Sequence, residues 1–377
     1  MPITRRQFLS SSIAISSSTF LSPIVQSSTQ QGQIKMKIIC LEEHVLDSAT
    51  LQASMPNALK VAPYLPDWGK TVQDGNNPDH SRPQVIANTD SSRKALDWEK
   101  ERLNDMDKAG IDMQILSLGG FPQFAPIQDQ LSLSQKVNDR LASTVAAHPN
   151  RFLAFATLPW SSPDIAIKEL ERAVTQLGLK GALLNGRPSD SFIDAPQYKE
   201  LLSAFNTLKV PLYIHPGIPV PAVQQAYYSG FNPELSNRLS TFAWGWHNEA
   251  GIQLLRLILS GAFDNNPHLT VISGHWGEML PFYLQRLDDS IPLAASGLKR
   301  TLTQTFKDQI FVTPSGMLTQ PHFNFIYSLL GAERILFSVD YPYQSLDGIH
   351  NFFHRLPISA QEKAMIAHQN VEKLFHI

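Results

Sequence analysis

The stretch Lys37-Ile-Ile-Cys-Leu-Glu-Glu-His44 decides how the rest of the chain is read. Its apolar run, Ile38 to Leu41, ends abruptly in two carboxylic acids and an imidazole. Short unbroken apolar runs are typical of strands buried on both faces of a parallel sheet. Side chains alternate along a strand, so Glu42 and His44 are expected to face one way and Glu43 the other. Two metal-competent side chains would then stand together at a strand's carboxyl end. Alone, an acidic strand end is ordinarily the solvated start of a loop, and the reading gains weight only from similar ends elsewhere.

Three such ends follow. Val210-Pro-Leu-Tyr-Ile-His215, Leu269-Thr-Val-Ile-Ser-Gly-His275 and Arg334-Ile-Leu-Phe-Ser-Val-Asp340 each close an apolar run with a side chain that can ligate a metal or carry a proton. Four more apolar runs end near Leu118, Leu158, Asn185 and Ser315, which makes eight candidate strands. Helical periodicity fills gaps between them, at 98–109, 131–147, 164–177, 196–208 and 251–259, with Gly110 and Gly178 as helix stops. Eightfold strand–helix alternation predicts an α/β fold, a closed (β/α)8 TIM barrel of the metal-dependent hydrolase type. A doubly wound sheet is the alternative. In a barrel, strands one, five, six and eight would bring Glu42, His44, His215, His275 and Asp340 to one face.

Two connections are longer than the rest. Residues 51–94, which include Trp68, and 219–242, which lead into Trp244-Gly-Trp246-His247, are expected to be loops walling the mouth of the site. His247 and His322 are possible pocket members. His80, His148, His268, His350, His354, His368 and His376 read as surface residues.

Composition narrows the function. Hydrophobic residues are 43%, charged residues 17% and the formal net charge is -2, so nothing suggests nucleic acid or an acidic membrane as a partner. A single cysteine, Cys40, excludes an intrachain disulfide, and its place in the first strand suggests a buried small hydrophobe. There is no dinucleotide fingerprint or P-loop, and no organic cofactor is expected. Residues 1–33 do not read as fold. Thr4-Arg-Arg-Gln-Phe-Leu9 followed by a Ser-rich, modestly apolar run resembles a twin-arginine export signal, too short and polar for a membrane anchor. The expected layout is a signal peptide at 1–33, a barrel domain at 34–377, and a periplasmic or other extracytoplasmic destination.

The barrel portion resembles the amidohydrolase superfamily, in the branch of metal-dependent decarboxylases acting on γ-resorcylate, 2,3-dihydroxybenzoate and aminocarboxymuconate semialdehyde. Leu41-Glu-Glu-His44 matches the Glu-x-His form used by the hydroxybenzoate enzymes. Arg151-Phe-Leu-Ala-Phe-Ala-Thr-Leu-Pro159, Gly181-Ala-Leu-Leu-Asn-Gly186, Gly274-His-Trp-Gly-Glu278 and Phe337-Ser-Val-Asp-Tyr-Pro342 match as well. The resemblance implies that Glu42, His44, His215 and Asp340 ligate one divalent metal, zinc first and manganese second. It implies that Asp340 and His275 are catalytic, with Glu278 orienting His275. Glu278 and Arg286 lie three and eleven residues after His275, spacings that put them along one side of a continuous helix and would let Arg286 bind substrate. Otherwise Glu278 is a helix N-terminal acid, and Arg286 a surface partner of Asp288 or Asp289.

The activity implied is non-oxidative decarboxylation of a small aromatic hydroxy-carboxylic acid, in a homo-oligomer, a dimer or tetramer. Two positions depart from the pattern where the resemblance puts the substrate. Ser117-Leu118 is followed by Gly119-Gly120, where hydroxybenzoate enzymes can carry a polar side chain facing the substrate, and Pro216 by Gly217, where some relatives carry arginine. Hydrolysis of a lactone, ester or amide by metal-bound hydroxide is the alternative activity, and a catalytically dead binding barrel the third reading.

Overall fold

Seven parallel strands carry the fold in the computed structural model, which describes residues 36–65 and 79–377. Met36–Ile377 forms one compact unit. The proposed export signal and Trp68 lie outside the described residues. Strands β1 (Ile39–Val45), β2 (Met113–Leu118) and β3 (Phe152–Ala154) make one sheet. Strands β4 (Ala182–Asn185), β5 (Leu212–His215), β6 (Val271–Ser273) and β7 (Ile310–Val312) make the other. Single parallel bridges span the seams. Ala156 pairs with Ala182 between the sheets, and the eighth apolar run pairs with β7 through Val312–Ile335 and with β1 through Leu41–Ser338. The TIM-barrel arrangement is therefore present, but the eighth run forms no ladder and the ring is joined by bridges rather than by continuous sheet.

Strand alternation sorts the core into two layers. Ile39, Leu41, Leu183, Tyr213 and Ile272 point inward and are capped at one end by Val371 and Phe375. Their neighbours Ile38, Cys40, Ala182, Leu184, Leu212, Ile214 and Val271 face the helices. Cys40 is free, and burial pushes its thiol well above the usual range, as expected of a packing residue rather than a nucleophile.

The helices expected from periodicity are present, with shifted ends: Lys100–Ala109, Ile127–Ala147, Pro163–Thr175, Lys199–Leu208 and Gly245–Leu259. Gly110 ends its helix in a left-handed conformation (φ 69°), as only glycine does without strain. Among the described residues, both long connections carry helices. The first contains the helices Ser48–Val61 and Asn88–Leu96, and the second the helix Pro233–Ser240. The first helix begins at Asp47, whose carboxylate accepts the Thr50 N–H at 2.9 Å. Pro56 lies inside it, which is why the sequence looked like a loop.

Candidate metal centre and active site

Four residues at or near the strand ends adopt left-handed backbone, whereas His215 at the end of β5 does not. Glu42, His275, Ser315 and Asp340 have φ of 62°, 48°, 45° and 69°. Non-glycine residues avoid this region at a cost of order 1–3 kcal/mol each, and such strain gathers where side chains must be aimed. At Glu42 the bend comes with a shift of strand register between Cys40 and Glu43. Glu42 and His44 still share a side, but a bulge places them there, not the plain alternation expected.

The two neighbouring acids divide the work. Glu42 is fully buried, and its Oε2 accepts from the Tyr213 hydroxyl at 2.6 Å, from Thr313 and Ser338 at 3.3 Å each, and from Ser315. Its Oε1 has no hydrogen-bond partner and faces His215 Nε2 at 3.5 Å and His275 Nδ1 at 3.8 Å. Glu43 faces the other way. It accepts the Val339 N–H at 3.0 Å and the Tyr341 N–H at 3.2 Å, and so grips the backbone on both sides of Asp340. Burial pushes Glu43 up to about 8, against the Val339 hydrogen bond and the Arg102 charge.

The histidines are held in ligand form. His215 Nδ1 donates to the Pro216 carbonyl at 2.9 Å, and His44 Nδ1 lies 3.1 Å from the Ser117 hydroxyl. Each ring thereby leaves Nε2 for a ligand, the usual device for fixing a metal-binding tautomer. Burial, then the neighbouring His44 and His275, holds His215 well below its ordinary pKa and so neutral. His44 Nε2 stands 3.2 Å from Asp340 Oδ1.

Three buried atoms therefore converge without hydrogen bonds: Glu42 Oε1, His44 Nε2 and Asp340 Oδ1. One donor atom from each of Glu42, His44, His215 and Asp340 lies within 4.8 Å of all the others. Buried polar atoms without partners are costly, and a divalent cation would satisfy all of them at once. Mixed imidazole and carboxylate donors suit zinc or manganese.

His275 stands beside this cluster. Its Nδ1 pairs with Glu278 Oε1 at 2.7 Å, which leaves Nε2 for another partner. Burial alone would depress His275, but Glu278 and then Glu42 outweigh it and raise the imidazole to about 10. Burial would likewise raise Glu278, yet His275 and His247 hold it below the usual carboxylate range. His247 completes the group: its Nδ1 lies 3.0 Å from Glu278 Oε2, and its ring centroid 4.3 Å from that of His275. The sequence marked His247 only as a possible pocket member, since nothing in its spacing ties it to Glu278.

Arg286 does not join them. It is exposed on the helix Leu280–Ser290 and does not line the cavity. A spacing of eleven keeps Arg286 on the His275 side only in one continuous helix, but Trp276, Gly277, Glu278 and Met279 are all left-handed and break the register. His322 is exposed as well. The departure at Gly217 has a steric cause, and a side chain at Gly119 would be tight. A Cβ at Gly217 would come within 2.3 Å of the Gly186 Cα, so this backbone admits no arginine there. A Cβ at Gly119 would meet the Tyr343 hydroxyl at 3.1 Å.

The cluster opens into a cavity of about 480 Å³. Both long connections wall it, through Leu51, Met55 and Val85 of the first and Phe242 of the second, and Trp246 and His247 at the start of the helix Gly245–Leu259 continue the wall.

A parallel α/β barrel with an acid–imidazole cluster at its strand ends defines a metal-dependent barrel enzyme. The amidohydrolase family profile matches residues 68–377. Gamma-resorcylate decarboxylase from Rhizobium sp. (strain MTP-10005) is 33% identical over 355 residues, 90% of this chain and 98% of that protein. The structure of dihydroxybenzoic acid decarboxylase from Polaromonas sp. JS666, with bound manganese and the inhibitor 2-nitroresorcinol, has a TM-score of 0.75 and 30% identity, over 90% of this chain and 97% of that one. The structure of 5-carboxyvanillate decarboxylase from Sphingomonas paucimobilis has a TM-score of 0.77 and 29% identity, over 91% and 99%. The chain belongs to the amidohydrolase family, as a metal-dependent carboxy-lyase of that superfamily. The relatives thus decide between the lyase and hydrolase readings in favour of the lyase.

Proposed function

We propose that the protein removes carbon dioxide from an aromatic acid bearing a hydroxyl next to its carboxylate, with Glu42, His44, His215 and Asp340 holding one divalent ion. The observation that carries this reading is the convergence of the unpartnered atoms Glu42 Oε1, His44 Nε2 and Asp340 Oδ1. Manganese is the first metal to test, since the Polaromonas relative holds it, and zinc the second. When bound, the ion neutralises charge on the substrate's carboxylate and hydroxyl oxygens as a Lewis acid.

The remaining chemistry falls to side chains. Asp340 in its protonated form gives its proton to the ring carbon bearing the carboxylate, while the neighbouring oxygen feeds electrons into the ring. The C–C bond then breaks, its electron pair restores the aromatic ring, CO2 leaves, and Asp340 remains as a carboxylate. His275 presents Nε2 to the substrate's oxygens as a cationic donor. Glu278 fixes that imidazole from behind, and His247 fixes Glu278. The apolar wall of the cavity keeps bulk water from the reacting carbon.

Arg286 lies outside the cavity of its own chain, on an exposed face shared with Phe282 and Tyr283. A substrate-binding role for it therefore requires a second copy of the chain, in keeping with the homo-oligomer expected from the resemblance. Export by the twin-arginine route is retained as part of the proposal. The test of the whole reading is metal analysis of the purified protein, then CO2 release and new-acid formation measured separately on salicylate-type acids, lactones and esters. New acid from a lactone or ester, with no CO2 from any salicylate, would overturn it.

A further inference from the structure

The cavity joins the polar metal-centre end to a second side lined mainly by apolar side chains. At about 480 Å³ it falls within the ~300–1,000 Å³ range of sites that receive drug-sized molecules. Its far side is built by the helix Ser48–Val61, which turns Leu51, Met55, Ala58 and Leu59 toward it at i, i+4, i+7 and i+8. Val85 and Ile86 continue that wall. Ala58 is buried, but Leu51, Met55, Leu59, Val85 and Ile86 lie outside the buried core. Met55 and Val85 are 40% and 44% exposed, so their apolar surface faces open space rather than protein.

The serine hydroxyls on that side are already engaged, and the neutral amides of Asn88 and Gln344 are its other polar side chains. The Ser54 hydroxyl donates to the Thr50 carbonyl, Ser91 to the Asn88 carbonyl, and Ser92 to the Asn88 side chain. Among the described lining residues there is no lysine, arginine or glutamate, and every histidine and aspartate sits at the metal-centre end. A second charged group on the substrate would find no partner there. Gly119 and Gly120 also line the cavity and offer no side-chain hydrogen bond.

Resting on the decarboxylase reading, we propose that the substrate is a 2-hydroxybenzoate carrying an apolar substituent, an alkyl chain of several carbons, and that the Leu51–Met55–Leu59 wall receives that chain. Specificity then comes from apolar burial at one end of the cavity and carboxylate chemistry at the other.

Two experiments on the full-length, metal-loaded protein decide this. In the first, phenols bearing no alkyl group, methyl, propyl or pentyl are titrated by calorimetry as analogues of the decarboxylated product. Affinity should rise about fourfold per methylene buried. A flat series overturns the proposal. Met55→Glu lies at an exposed position that tolerates substitution, so the variant should fold. It should weaken the pentyl ligand by more than about tenfold and leave the unsubstituted one within about twofold. Equal loss on both ligands, or on neither, contradicts the wall's role. In the second, CO2 release is compared for 2-hydroxybenzoates alkylated at ring positions 4, 5 and 6. Faster release from an alkylated acid supports the proposal. Equal release from plain and alkylated acids leaves the decarboxylase reading intact and removes the apolar subsite. An affinity gradient with no CO2 from any acid keeps the subsite and removes the decarboxylase reading.

Discussion

Replacing Glu278 by glutamine separates a positioning carboxylate from a merely structural one. Glu278 is buried and accepts from two imidazoles, at 2.7 Å from His275 and 3.0 Å from His247. Glutamine keeps the shape but offers one oxygen and one NH2 group. Whichever way the amide turns, one imidazole N–H meets another donor. One charge-assisted bond, worth about 1.5–3 kcal/mol net, is lost, and the other falls to the neutral range of about 0.5–1.5 kcal/mol. The combined weakening is about 2–4 kcal/mol, divided between the folded state and the transition state. A share of about 1.4–2.7 kcal/mol in the transition state lowers kcat by about 10–100-fold, the usual effect of an orienting partner. His275 also loses the Glu278 charge, the largest of those that favour its cationic form against burial. Its cationic form must then be lost at lower pH, so the alkaline limb of the kcat profile moves toward neutrality. Metal content, Tm, and kcat against pH should be measured on one preparation. A folded, metal-loaded variant with unchanged kcat and an unmoved alkaline limb would refute the reasoning.

Other outcomes follow from the same geometry. Glu42→Ala and His215→Ala should each lose most of the bound metal while the barrel stays folded, because the core is built from residues outside the site; full occupancy in both by elemental analysis contradicts the ligand set. His275→Asn should keep its metal and lose about 10²–10⁴-fold in kcat. A destabilised variant with normal kcat per folded molecule would make His275 structural. If copies of the chain share Arg286, Arg286→Ala should raise KM, and mixing it with His275→Asn chains should restore activity through hybrid sites. No recovery in verified hybrids counts against sharing. Changing Arg5 and Arg6 together to lysine should leave the protein in the cytoplasm, because the export receptor reads the pair; unchanged export on cell fractionation would end the signal assignment.

The sequence revealed much of the cluster because its members sit at strand ends. An apolar run closed by an acid or histidine stands out in sequence, and barrel geometry brings such ends together. Glu42, His44, His215, His275 and Asp340 were all legible for that reason. What stayed hidden depends on local backbone direction. Nothing in Cys40-Leu-Glu-Glu43 announces a shifted register, and nothing in Trp276-Gly-Glu-Met279 announces a run of left-handed residues. The second feature broke the helical spacing that placed Arg286 in the site. The helix Ser48–Val61 has an Asp47 cap and a 51–55–58–59 stripe, but Pro56 inside it and the polar stretch beyond it give the sequence the look of a loop. His247 pairs with Glu278 across 31 positions of sequence, a contact that only the folded chain reveals.

The central claim is that four converging ligands hold a divalent ion used to break a carbon–carbon bond. The most direct test is CO2 evolution from 2-hydroxybenzoates, with and without alkyl substituents. It should be followed in metal-free protein and again after stoichiometric manganese or zinc is added. The account expects no CO2 without metal, restoration at one ion per chain, and no restoration in Asp340→Asn. Metal-independent release, or full activity in Asp340→Asn, would contradict it.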